Sequence, residues 1–487
     1  MPLRSRHPPI AQAEPPRGAG MKRLDGENRP TLLDHPTRAA LVVGLALVLA
    51  LLLDRHVQWM NGMLWIRPWC QRSPLWVVPL FLACVLPLVG AVWLRERKPG
   101  GHEGLRVPAL ALTCFLLMYA ATCCFDGAYE PARLPRAIEH EHVTSYFLDA
   151  GQLRGIPNFL ARFPELMESL HLHSENKPPG AILYFMGFIE AFGYDDAASL
   201  SGLGIGVLAA LTVVSTWWMV ITLTESRDAA FAAAVLVALC PSLVLSLPLM
   251  DQVMPNFTCL LVASWTIALR RNSPWAAVLF GMALAGAVMF TPLVLVVGAF
   301  LAAMTLLHLA PRAERRARAL QTGRLIAVVA AVFVGIFLSL HALTGFDLIA
   351  TYREVLGSKH DWSPELTRQE LLGRPYWKAV ISDPWEFLLG TGWVIGLLAL
   401  LRAVDALRDR KGLWALELLA LAQIGLMPLL SFVRGESARL WLFLVPLLAL
   451  PAGIELARWN PRQRAAAFAG LFLVLTSIYL NMRFVSR

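Results

Sequence analysis

Residues 171–193 read HLHSENKPPGAILYFMGFIEAFG, and whether this segment crosses a membrane decides how every other segment is oriented. Its first part carries His171, His173, Glu175 and Lys177. Pro178 and Pro179 follow; neither has an N–H to give to a helix ladder, so they fix an extended approach and allow helix from Gly180 onward. The apolar remainder is shorter than the roughly 20 residues of a membrane crossing. It also carries Glu190 in its second half, so it is expected to lie along the membrane surface. Polar chemistry is thereby held at a membrane edge.

The surroundings are apolar. Of 487 residues, 57% are hydrophobic and only 16% charged, with a mean hydropathy of +0.56; an ordinary soluble enzyme has about 25% charged residues. The fold class is therefore an all-α polytopic membrane protein. Apolar runs near 39–53, 75–94, 108–125, 202–223, 229–250, 255–270, 275–290, 292–309, 325–343, 386–404, 413–432, 439–457 and 465–482 give about 13 transmembrane helices. The formal charge of +9 does not point to nucleic acid, because the basic residues fall in short clusters between apolar runs. These are Arg95 to Arg106, Arg227, Arg270 with Arg271, Arg312 to Arg324, Arg408 to Lys411, and Arg458 to Arg464. Such loops stay on the cytoplasmic side. All of them land there, with a cytoplasmic N-terminus in an inner (cytoplasmic) membrane, only if 179–193 does not cross.

Five regions follow. Residues 1–36, rich in Pro, Arg and Gly, read as a disordered cytoplasmic tail. Residues 37–107 hold two N-terminal spans and a basic cytoplasmic loop, and 108–343 form a transmembrane core that includes a first external loop at 126–201. A second large external loop occupies 344–384, and 385–487 are C-terminal transmembrane helices. Within the first external loop, amphipathic helices are expected around 143–153 and 158–170. The seven cysteines lack CxxC or zinc spacing and read as small apolar filler. Gly202, Gly204 and Gly206 read as close helix packing, not a nucleotide loop. No Walker sequence, zinc-protease helix or nucleophile elbow is present.

With this parity the external face gathers Asp126, Glu130, Glu139, His140, Glu141, His142, Tyr146, Asp149, His173, Glu175, Lys177, Asp251, Arg434, Glu436 and Arg439. Carboxylates opposite Arg and Lys suit a phosphate-bearing substrate embedded in the membrane, with Arg as a fork-shaped donor and a carboxylate as base. Glu141 leads the candidates for the base, with Asp126 and Asp251 as further catalytic candidates. His142, Tyr146, His173, Lys177, Glu436 and Arg439 are the substrate-binding candidates. Each has a plainer alternative: a solvated loop face for 139–142, headgroup contact for Asp251, a simple turn for Lys177, and an ion pair tying two helices for Arg434, Glu436 and Arg439. Asp149 and Glu190 are expected to face water.

Four motifs in this order, EHEHVTSYFLDA (139–150), HSENKPPGAILYF (173–185), LPLMDQVMP (247–255) and RGESARLWLFLVP (434–446), resemble the GT-C membrane glycosyltransferases. The similar branch is that of protein O-mannosyltransferases and aminoarabinose transferases, glycosyltransferase family 39-like, and the resemblance runs from about residue 108 onward. It implies a GT-C-like bundle with amphipathic juxtamembrane helices in its external loops. It further implies transfer of a sugar from a polyprenyl-phosphate donor to an acceptor on the external (periplasmic) face, inverting at the sugar carbon. In that scheme Glu141 would be the base or would orient the acceptor hydroxyl, Lys177 and Arg439 would meet the phosphate, and Asp251 would complete an acidic wall. The family's Asp-Glu pair ahead of the tyrosine is here Glu141-His142, one residue farther from Tyr146, so Asp126 and Glu139 stand as alternatives. The implied partners are the polyprenyl-phosphate sugar, a lipid, glycan or protein acceptor, and membrane lipids. No cofactor is required; a divalent metal bridging Asp251, Glu141 and the phosphate would be compatible. A lipid or solute transporter or flippase is the rival, opposed by polar residues gathered at one face rather than at the midplane. A non-catalytic membrane assembly protein is the third reading.

Overall fold

The computed structural model describes residues 33–59, 67–68, 75–98, 101, 103–124, 128–357, 376–410, 412–430 and 436–483. The expected tail at 1–36 lies almost wholly outside them, as do Asp126 and Arg434. The chain begins with α1 (His35–Trp59), α2 (Val77–Cys84), α3 (Leu86–Arg97) and α4 (Glu103–Cys123), α2 and α3 together forming one span. Short helices follow: α5 (Arg133–Ile138), α6 (Glu141–Gln152), α7 (Ile156–Ala161), α8 (Phe163–Leu166) and α9 (Leu172–Glu175). Next come α10 (Gly180–Phe192), α11 (Tyr194–Thr224), α12 (Arg227–Ala238), α13 (Pro241–Leu245), α14 (Met254–Arg271) and α15 (Pro274–Phe290). α16 (Val297–Leu309), α17 (Arg315–Thr344), α18 (Leu348–Gly357) and α19 (Tyr376–Gly390) continue the chain. It closes with α20 (Val394–Asp409), α21 (Trp414–Leu430), α22 (Ser437–Leu440), α23 (Val445–Ala457) and α24 (Pro461–Asn481).

Among the described residues, eight helices are long and apolar enough to cross a membrane, or nine with one bent pair. The protein is a polytopic helical membrane protein whose one strand pair among the described residues joins Arg67–Pro68 antiparallel to Met482–Arg483. Its densest packing joins α12 to α23. Residues Ala229 to Ala238 are all buried, and a Cβ on Gly453 would come within 2.5 Å of the Ala229 carbonyl oxygen. Small residues let these two backbones close on each other.

Ion pairs collect the basic loops at one end of the bundle. Arg270 donates to the Leu223 carbonyl at 2.8 Å, joining the ends of α14 and α11. Arg95 reaches Asp228 at 2.7 Å, Arg464 reaches Glu96 at 2.8 Å, and Asp405 takes both Arg38 and Arg458 at 2.7 Å. α4 leaves this end and α11 returns to it, so the segment between them makes no net crossing. α10 indeed folds back along the first third of α11: the Tyr184 hydroxyl donates to the Ser201 carbonyl at 2.8 Å, and Gly204 faces Tyr184 and Phe188. The close-packing role of the glycines also holds for Gly202 against Leu134 and Gly206 against Phe115.

Three expected elements are broken. The run 229–250 is not one helix: α12 stops, Cys240 is extended ahead of Pro241, and α13 is a single short turn region. A residue preceding proline is pushed out of helical geometry, and Pro241 then opens the next helix. The run 386–404 bends by 107° between α19 and α20. Gly392 (φ 70°) and Trp393 (φ 58°) are left-handed there, and Gly390 is packed so tightly on Ser242 and Ala438 that no side chain fits. The helix expected at 158–170 is divided into α7, α8 and a 3-10 turn, Met167–Ser169, with Pro164 starting the second piece.

Candidate active site

Three backbone junctions meet at the end of the bundle away from the basic loops. At the first, Pro178 and Pro179 are buried and Pro179 caps α10. A Cβ on Gly180 would collide with the Met289 carbonyl, so this turn is pressed onto the end of α15, and Lys177 is fixed just ahead of it. At the second, Leu249 is extended and a 3-10 turn, Met250–Val253, leads into α14. Asp251 therefore opens a returning helix instead of ending an outgoing one. At the third, Glu436 adopts a left-handed conformation (φ 52°) and caps α22, which carries Arg439.

The side chains converge. Lys177 Nζ donates to Asp251 Oδ1 at 3.1 Å and lies 5.7 Å from the centre of the Tyr146 ring. That ring is 6.5 Å from the ring of His173. Arg439 Nε donates to Glu436 Oε2 at 2.7 Å, and Nη2 meets the same oxygen. The charge of Arg439 acts on Tyr146 and His173 as well. Tyr146, His173, Lys177, Asp251, Glu436 and Arg439 thus form one cluster.

Burial sets their protonation. His173 is pushed down to about 4 by burial and then by the positive charges of Arg439 and Lys177, so its ring is neutral at physiological pH. Burial raises Tyr146, against the pull of Lys177, and keeps it a phenol. Burial alone would lower Lys177, but Asp251 and Tyr146 outweigh it and raise the ammonium above its usual range. Arg439 is raised likewise, with Glu436 and Asp251 opposing burial. The ionic groups stay partly accessible, at 21% for Lys177, 14% for Asp251, 14% for Arg439 and 19% for Glu436. An ammonium that gives one donor to a carboxylate keeps others for a ligand, and a guanidinium with two nitrogens on one oxygen keeps its third. Two such cations can receive an anion.

Glu141 is exposed in the first turn of α6. It lies five residues from the inward-facing Tyr146, which turns its side chain by about 140° around the helix. His142 shares that first turn. Glu436 and Arg439 pair within a single turn, so they do not tie two helices together. Among the described residues, no group of three or more His, Cys, Asp or Glu stands close enough to hold a metal ion.

Asp149 does not face water. It is 3% exposed, and its Oδ1 lies 2.6 Å from Nδ1 of His171. The buried face of α6 runs through Val143, Tyr146, Phe147 and Ala150, and three residues beyond Tyr146 returns to that face. That spacing was the available signal in the sequence. Glu190 is exposed, as expected. A second buried polar group sits behind the Arg439 turn: Ser437 Oγ donates to the Asp383 carbonyl at 2.6 Å and lies 3.2 Å from Glu386 Oε2. Asp383 closes the expected second external loop and Glu386 opens the next apolar run, and neither is among the sequence candidates.

The fold and the cluster define a multi-pass membrane protein with a partly accessible ionic site at one end of its bundle. No protein-family model and no curated protein matches the sequence. Among solved structures the chain is similar to ArnT from Cupriavidus metallidurans in the apo state, at 15% sequence identity and a TM-score of 0.43. The match covers 64% of this chain and 56% of that one, so the chain spans little more than half that protein's length.

Proposed function

We propose that this chain is an integral-membrane glycosyltransferase that moves a sugar from a polyprenyl-phosphate donor to an acceptor on the external face, inverting the sugar carbon. The observation that carries the reading is the pair of cations Lys177 and Arg439, each held by one carboxylate and each still partly accessible, at the end opposite the basic loops. By the positive-inside rule those loops are cytoplasmic, which makes the site periplasmic in an inner membrane. The polyprenyl chain lies between helices and its phosphate sits against Lys177 and Arg439. The acceptor oxygen attacks the sugar carbon, the bond to phosphate breaks, and the phosphate departs with the electron pair, stabilised by the two cations. The acceptor's proton passes to a base in the first external loop; Glu141, the leading expectation from the sequence, is exposed on the far side of α6 from Tyr146. The acceptor is a lipid, glycan or protein hydroxyl.

The test uses the purified protein in nanodiscs with a panel of polyprenyl-phosphate-linked sugars and extracted membrane lipids and envelope glycans. Release of polyprenyl phosphate with a glycosylated acceptor is expected, and Arg439→Ala should lower kcat/KM by about 10²-fold or more. Wild-type protein that transfers nothing while moving lipid-linked sugar across the bilayer would establish a flippase instead.

A further inference from the structure

The pair Asp149 and His171 has no part in holding the phosphate. Asp149 is buried on α6, while the side chain of His171, at the start of α9, is 37% accessible. Oδ1 lies 2.6 Å from Nδ1 and also receives the His171 backbone N–H at 3.4 Å. Asp149 stands three residues after Tyr146, and His171 two before His173. The contacts Asp149 with His171 and Tyr146 with His173 therefore run side by side, roughly 5–6 Å apart along one helix face. The pair borders the ionic site.

A carboxylate on Nδ1 holds the proton there and leaves the lone pair of Nε2 free to accept. Among the described residues Asp149 Oδ2 is buried with no hydrogen-bond partner, as are Ser145 Oγ and Ser174 Oγ on the same two helices. A carboxylate left incompletely compensated gains most when the imidazole beside it becomes a cation.

We infer that His171, oriented by Asp149, is the base that takes the acceptor's proton in the sugar transfer proposed above; the inference rests on that reading. The acceptor O–H proton passes to His171 Nε2 as the oxygen bonds to the sugar carbon. The sugar–phosphate bond breaks, its electron pair leaves on the phosphate, and Asp149 stabilises the imidazolium. His171 is the catalytic residue and Asp149 the positioning residue. The acceptor class is a group with an acidic enough O–H to yield its proton to an imidazole in the transition state, a hydroxyl on a sugar or lipid headgroup.

His171→Asn keeps an amide N–H toward Asp149 and places nothing at Nε2. Its kcat, measured with the donor found active on the wild type, is expected to fall about 10²–10⁴-fold, with donor KM and unfolding temperature unchanged. Asp149→Asn, which favours the opposite tautomer, should lower kcat comparably at constant donor KM. In His171→Gly, added imidazole should restore part of the rate per folded molecule, which guards against a variant that fails to fold. Unchanged kcat in His171→Asn, a loss carried entirely by KM or stability, or no imidazole rescue overturns the base and leaves the glycosyltransferase standing. A wild type that transfers from no polyprenyl-phosphate sugar overturns both.

Discussion

The two ends of the bundle use the same residue types for opposite ends. At the basic end Arg38 has all its nitrogens engaged: Nη1 and Nη2 on Asp405 at 2.9 and 2.7 Å, Nη1 also on Glu455 at 2.8 Å, and Nε on the Leu33 carbonyl at 2.9 Å. Arg458 adds a bond to Asp405, and Trp459 donates to Glu455 at 3.0 Å. Arg38, Asp405 and Glu455 are 1%, 4% and 0% exposed. At the other end Lys177 meets Asp251 at one point, Arg439 pairs with its own cap, Glu436, and all four remain partly accessible. Bidentate, water-excluded pairing fixes geometry and leaves nothing for a ligand. Single-point pairing near solvent leaves donors to spare. Saturation and access, more than the presence of charge, separate a clamp from a site.

The largest expected effect breaks the clamp. Arg38→Met leaves Asp405 and Glu455 buried with one cation fewer and detaches α1 from α20 and α23. The cost should be about 3–5 kcal/mol of stability, read by chemical unfolding in detergent, with sugar transfer per folded molecule unchanged. A variant as stable as the wild type would show that the buried pairs do not hold the helices, and the contrast between the ends would fail.

Next in size is the reverse experiment. Lys177→Met should lower transfer about 10²–10³-fold while changing stability by about 1 kcal/mol, because the ammonium is partly accessible and meets its carboxylate at one oxygen. Adding Asp251→Asn should recover that stability and none of the transfer. If Lys177→Met instead unfolds the protein with activity per folded molecule retained, the pair is a second clamp.

What the sequence discloses and what it hides follow the same division. The common side of the basic loops is legible because each Arg cluster is a local property of its loop, and the structure needs only to stitch Arg95 to Asp228 and Arg464 to Glu96. The helix start at Gly180 is legible because two prolines leave no other choice. The bond between Lys177 and Asp251 joins positions 74 apart; the motifs place both residues in one layer, but only packing sets the contact. Asp149 was hidden because the inner face of an amphipathic helix is assumed to be apolar, and its partner lies 22 residues away. The bend at Gly392 and Trp393 depends on how tightly Gly390 meets Ser242, which no local pattern records.

The smallest effect concerns His173, the neutral ring among the site's cations. Burial, then Arg439 and Lys177, push it down to about 4, against an ordinary 6.5 in the unfolded chain. Between those values the unfolded chain binds a proton that the folded protein refuses. Stability therefore falls as pH drops from about 6.5 to about 4 and is fully present above that window. Other acidic groups of the chain also take up protons on acidification, so the informative quantity is the difference between two proteins: wild type should lose stability more steeply across the window than His173→Gln, measured by unfolding at a series of pH values. Identical slopes would mean that His173 takes up its proton freely. It would then stand in water rather than between Tyr146 and the two cations, and the site end would be looser and more solvated than the proposed phosphate site requires.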